Sequence, residues 1–145
     1  WALHDSTALA TLPIDASADG PLLPALQSRG VEIWTEAELA SLHALSWLHR
    51  QPGQARYAAR VRKAALWLLD NLQPDNATHR PWGVHVFAAL TSDTAAPPKQ
   101  ADADLYAQTL LHNALVGGTL DRFSACILWD AANWLESPAL QTGIG

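Results

Sequence analysis

The residues best placed to do chemistry gather in one polar turn. Between Gln73 and His85 the chain brings together Asp75, Asn76, Thr78, His79, Arg80, Trp82 and His85. That is an acid, two imidazoles, a guanidinium and an indole in one short stretch. Such a set can hold a sugar or a small anion. Asp75, Asn76, His79, Arg80, Trp82 and His85 are therefore the candidate ligand-binding residues. Pro74 and Pro81 fix the chain at both ends, so the turn is expected to be ordered. Trp82 and His85, three apart, should face the same side of the helix that follows. The same residues also suit plain turn structure. Asp75–Asn76 is a turn former, Thr78 or His79 can cap the next helix, and Trp82 can pack beneath. Asn76-Ala77-Thr78 is a glycosylation sequon, which matters only on a secreted chain.

Elsewhere the chemistry is sparse. His43 and His49, with His112 and Asp102 or Asp104, show no HExxH arrangement and no CxxC partner, so no metal centre is predicted. Cys126, beside Ile127 and Leu128, reads as a buried inert thiol. One cysteine excludes an internal disulfide. No GxSxG elbow is present. Gly117–Gly118 is a pair and not a phosphate loop. Neither a catalytic residue nor a cofactor is predicted.

Charge points to a partner of a different kind. The net charge of −5 argues against general nucleic-acid binding. Arg50, Arg56, Arg60, Arg62 and Lys63 fall in a window without an acid, leaving 4 basic and 14 acidic residues elsewhere. Arg56, Arg60, Lys63 and Trp67 recur at i, i+4, i+7 and i+11, one stripe on a helix. They are the candidate partner-binding residues, for an acidic chain or a neighbouring subunit, weighed against a simple solvated face.

These groups must be positioned by helices. At 145 residues, 49% hydrophobic and 16% charged, the chain is one ordinary domain with enough apolar mass for a core. No apolar run approaches the ~18 residues of a membrane span. Trp1 to Leu12 suits a short helix, and Leu22, Leu23 and Leu26 a short piece ended by Gly30. Val31 to Trp34 reads as extended. Thr35-x-x-Glu38 is a capping box opening a helix that ends at Pro52–Gly53. The next helix spans about Gln54 to Gln73, with Tyr57, Val61, Ala64, Ala65, Leu68, Leu69 and Leu72 as its apolar face. Pro81 opens a helix to about Leu90. Another runs from Ala101 to Val116, with Leu105, Thr109, His112 and Val116 on one side. The last runs from Leu120 to Leu135, with Leu120, Phe123, Ile127, Ala131 and Trp134 periodic. Helix after helix across short links predicts an all-α fold of stacked antiparallel hairpins in a single domain, residues 1–145. The chain begins at Trp1 and contains no Met, which suggests an excerpt or a processed product.

Lys63-Ala64-Ala65-Leu66-Trp67-Leu68, then Gln73, then Trp82 after a turn, resembles the QW-type repeat of terpenoid cyclases, which share the α/α-toroid fold with protein prenyltransferases. The resemblance covers about twenty residues. It implies helical hairpins tied by a Gln cap and a Trp stacked across a turn. The family's acid motif has three aspartates in four residues, and Asp102-Ala103-Asp104-Leu105 supplies two. Hairpins carry over; cyclase activity does not. A closed toroid also needs several more hairpins than these residues supply. Two functions follow as expectations. One is a helical scaffold or interaction module that binds another protein chain or self-associates. The other is a fragment of a toroid enzyme acting on a carbohydrate or lipid, with Asp75, Asp102 or Asp104 as its acid. Seven tryptophans suit either an aromatic groove or core filling.

Overall fold

The computed structural model describes residues 14–74, 78–92, 97–116 and 120–137. All regular structure among them is helical: α1 (Val31–Leu48), α2 (Ala58–Asn71), α3 (Val84–Leu90), α4 (Gln100–Leu115) and α5 (Arg122–Glu136). Short 3-10 turns stand at Pro24–Arg29, Ala55–Tyr57 and Pro97–Lys99. None of the described helices is long and apolar enough to cross a membrane. The expectations for Trp1–Leu12, Gly117–Gly118, Pro138 and Gly143 lie outside the described residues.

α1 and α2 form an antiparallel hairpin. Trp34, near the start of α1, meets Trp67, near the end of α2, with ring centroids 5.7 Å apart. The face of α2 that the spacing predicts is the buried one: Val61, Ala64, Ala65 and Leu68, continued by Leu72. It shares one core with Leu39, Leu42, Leu45 and Leu48 of α1. α3 and α4 form the second hairpin. Phe87 stacks on Tyr106 at 4.3 Å. Asn113, late in α4, donates to the carbonyls of Pro74 and Thr78, which precede α3. α3 packs against all four other helices, and five of its seven residues are buried. Gly83 admits the chain to α3 at φ +68°, a conformation that favours glycine.

Several local readings are corrected. α1 starts at Val31, so Val31–Trp34 is helical and Thr35 lies inside the helix, buried. Glu38 does not close a capping box; its carboxylate reaches a different segment altogether, described below. α3 starts at Val84 and not at Pro81. On α4 the side holding Leu105 and Val116 faces outward, at 65% and 64% exposed. The buried side is Ala103, Tyr106, Ala107, Leu110 and Ala114. Small side chains let α4 approach α3 closely, and that packing outweighs the larger leucines on the other side. α5 buries Ile127, Ala131 and Trp134 as its spacing predicts, while Leu120 and Phe123 stay exposed. Asp121 caps α5, its carboxylate accepting from the Phe123 and Ser124 N–H groups.

Candidate functional site

Two polar clusters tie the fold together, a sealed one between helices and a clasp on the segment that precedes α1. The first joins α1, α3 and α5. The Gly83 N–H donates to His43 Nδ1 at 3.1 Å, so that nitrogen is bare and the ring proton sits on Nε2. Nε2 then donates to Asp130 Oδ2 at 2.9 Å. Ser46, one turn on from His43, gives its hydroxyl proton to the His43 carbonyl at 2.6 Å. With that proton engaged, His85 Nε2 donates to Ser46 Oγ at 2.5 Å. His85 Nδ1 is left bare and buried, with no hydrogen-bond partner, as is the Trp82 indole N–H. Burial holds the His85 imidazole well below its usual 6.5, and His43, Arg50 and His49 push the same way. His85 is therefore uncharged at neutral pH.

Tryptophans wall this cluster. Trp82 meets His43 edge-on at 5.4 Å, and Trp134 tilts over His85 at 4.7 Å. The Trp134 indole donates to the Ser46 carbonyl at 3.0 Å. The Arg50 guanidinium lies 3.6 Å above the Trp134 ring and donates to its carbonyl at 2.7 Å. Burial lowers Arg50 to about 10. A serine touching a histidine and an aspartate holding another invite comparison with a hydrolytic triad. The connectivity differs: Ser46 meets His85, while Asp130 holds His43. All four side chains are buried, so a substrate has no approach to them. The cluster is a joint between helices.

The second cluster is a clasp on Gly20–Leu23. Arg60 donates to the carbonyls of Gly20 and Pro21, at 2.9 and 2.8 Å. Glu38 accepts from the N–H groups of Leu22 and Leu23, at 2.7 and 2.5 Å, and from the Trp34 indole at 3.1 Å. Three consecutive peptide groups are thus held, through two carbonyls and two N–H groups, by one buried cation and one buried anion. Burial lowers the Arg60 pKa; Glu38 and Asp19 oppose the shift. Nearby, Lys63 pairs with Asp19 at 2.8 Å.

This clasp removes Arg60 from the expected partner-binding stripe. Arg60 is 2% exposed, and a side chain so enclosed by its own chain cannot reach an outside partner. Lys63 and Trp67 lie against residues 19 and 20 and the Trp34 ring. Of the four, Arg56 alone is exposed without spanning to another segment; it lies over the neighbouring Tyr57 ring at 4.9 Å.

Among the described residues of the expected ligand turn, His79, Arg80, Trp82 and His85 do not converge on one point. Asp75 and Asn76 lie outside the described residues. Trp82 and His85 do share a side, but that side is the sealed core around His43. His79 faces solvent. Arg80 reaches Glu36 at 3.6 Å and covers the Phe123 ring at 4.7 Å. Cys126 is exposed, contrary to the buried thiol expected. Asp102 lies 3.6 Å from Lys99, and Asp104 accepts from Gln108. No group of three or more His, Cys, Asp or Glu side chains that could hold a metal occurs among the described residues, and both His43 nitrogens are engaged.

Sequence reasoning missed Ser46, Asp130 and the true role of Glu38. Each had a signal: a polar residue on the buried side of a helix, Glu38 beside Leu39 and Asp130 between Ile127 and Ala131. A group there must be hydrogen-bonded to another element. Comparison with protein-family models, curated proteins and solved structures found no match.

Proposed function

We propose that the chain is a helical interaction module that binds another protein chain on the outer face of α5. One observation carries the reading. Trp129 is 70% exposed, the most exposed large hydrophobic side chain among the described residues. Ala125, Cys126 and Ala132 stand four before, three before and three after it, so they surround it on the helix. An indole held in water among small side chains is the kind of group that carries interface energy once covered. The buried His43 cluster supports the same reading, because its polar groups hold helices to one another and face no solvent. The hairpin resemblance to α/α toroids fits a helix whose outer face accepts a further helix.

Cys126, the single cysteine, is exposed on this face. A benzophenone maleimide attached there reports what lies against it. In extract of the source organism, photolysis of the labelled chain is expected to give an adduct with one defined protein chain, identified by peptide mass spectrometry. Trp129→Asp is expected to abolish that adduct. An adduct indifferent to Trp129→Asp, or a labelled chain that joins no protein at any concentration, overturns the proposal.

A further inference from the structure

We infer that the chain docked on α5 is a second copy of this chain, with the two α5 helices antiparallel about a two-fold axis through Trp129. The inference rests on the interaction-module reading. In such a pair, a residue a given number of positions before Trp129 faces the residue that number after it in the other copy. Arg122 and Glu136 stand seven before and seven after. Seven residues are close to two helical turns, so both charges share the Trp129 face. Each copy's Arg122 then faces the second copy's Glu136, and Cys126 faces the second copy's Ala132. The face is complementary to itself, as a two-fold interface requires.

The helix ends give an independent reason. α5 begins at Arg122 and ends at Glu136. A cation at the N-terminus and an anion at the C-terminus both oppose the helix's own dipole. Both residues are exposed, and the ion pairs among the described residues involve other side chains. Asp121 already complements the dipole at the start of α5, so the end that lacks compensation within the described chain is Glu136. An antiparallel second α5 supplies that compensation, setting an opposite charge beside Glu136. The outward side of α4, with Leu105, Leu111 and Leu115, has no such pairing of opposite charges about a centre.

One helix pair buries less than the ~800 Å² per partner of a standard interface, so the dimer is weak and calls for sedimentation equilibrium at high concentration. A homodimer of Arg122→Glu sets acid against acid at both ends, and Glu136→Arg sets base against base. Each single variant of the full chain is expected to weaken self-association about tenfold or more. The double variant R122E/E136R restores the homodimer. An equimolar mixture of the two single variants forms a one-to-one heterodimer. Unchanged circular dichroism shows that the exposed substitutions leave the fold intact. Three results overturn the inference. A chain monomeric at every concentration, with a Trp129-dependent Cys126 adduct to a different protein, removes the second copy and leaves the docking face standing. A dimer indifferent to both reversals places the contact elsewhere. A chain that is monomeric and also yields no Trp129-dependent adduct removes both readings.

Discussion

Replacing Arg60 with methionine keeps the apolar stem and deletes the guanidinium. The structure fixes what is lost: two charge-assisted bonds to main-chain carbonyls, at 2.9 and 2.8 Å, from a side chain 2% exposed. Bonds to a charged group contribute about 1.5–3 kcal/mol each. Against that stands relief from burying a cation, since desolvation already lowers the Arg60 pKa. The remaining carboxylate of Glu38 keeps its N–H partners but loses the nearest buried cation. A net cost of about 2–4 kcal/mol follows. At about 3 °C per kcal/mol for a chain of this size, the melting temperature should fall by roughly 6–12 °C. Urea unfolding of the full chain measures the cost. Limited proteolysis locates it, because residues 14–29 should become cleavable first while α1 and α2 stay protected. Glu38→Gln, combined with Arg60→Met, should cost less than the sum of the single changes, because both grip one segment. A denaturant midpoint unchanged in Arg60→Met, or strictly additive costs, would refute the clasp as the element that holds the segment.

Two more outcomes test the sealed cluster. The folded pKa of His85 is depressed below its unfolded value near 6.5, so as pH falls the unfolded chain binds the proton first. Stability is fully present above about 6.5 and is lost progressively below it, by up to ~1.4 kcal/mol per pH unit for this one group. His85→Asn should flatten the difference in urea midpoint between pH 7.5 and pH 5, and an equal pH dependence in both chains counts against the buried neutral imidazole. Asp130→Ala leaves the His43 Nε2–H without its 2.9 Å acceptor and should cost about 1–3 kcal/mol. Asp130→Asn, whose amide oxygen can still accept, should cost less, and equal losses by calorimetry would show that the bond is not what Asp130 supplies.

The fold was legible where one apolar periodicity dominates a helix. α2 shows this best: a single stripe from Val61 to Leu72 leaves no competing face. α4 shows the opposite case. Ala103, Ala107, Leu110 and Ala114 repeat as regularly as Leu105, Thr109, His112 and Val116, and the larger Leu105 and Val116 draw the eye while close packing on α3 favours the alanines. The capping-box reading failed for a related reason. Thr35 and Glu38 have the right spacing, but the carboxylate satisfies two peptide N–H groups of a segment fifteen or more residues away, a contact that local sequence does not encode. The buried cluster was legible in two of its members, Trp82 and His85, and not in its direction or in Ser46 and Asp130. Trp82 and His85 were paired correctly on one side. Which side faces inward depends on His43, Ser46 and Asp130, spread over 87 positions from His43 to Asp130. The outward aim of Trp129 is likewise a property of how α5 seats its other face.

The brevity of α3 bears on how this chain comes together in time. Val84–Leu90 is seven residues, shorter than the roughly 12–15 needed for a helix to persist alone in water. Its order is borrowed from the four helices that it touches. It can therefore become helical only as α1, α2, α4 and α5 close on it, which makes the shortest helix the last to be secured and binds the halves into one folding unit. Hydrogen exchange should record this history. Amides of α3 should open only with the whole molecule, whereas those of Pro24–Arg29, which has no buried residue, should exchange through local opening.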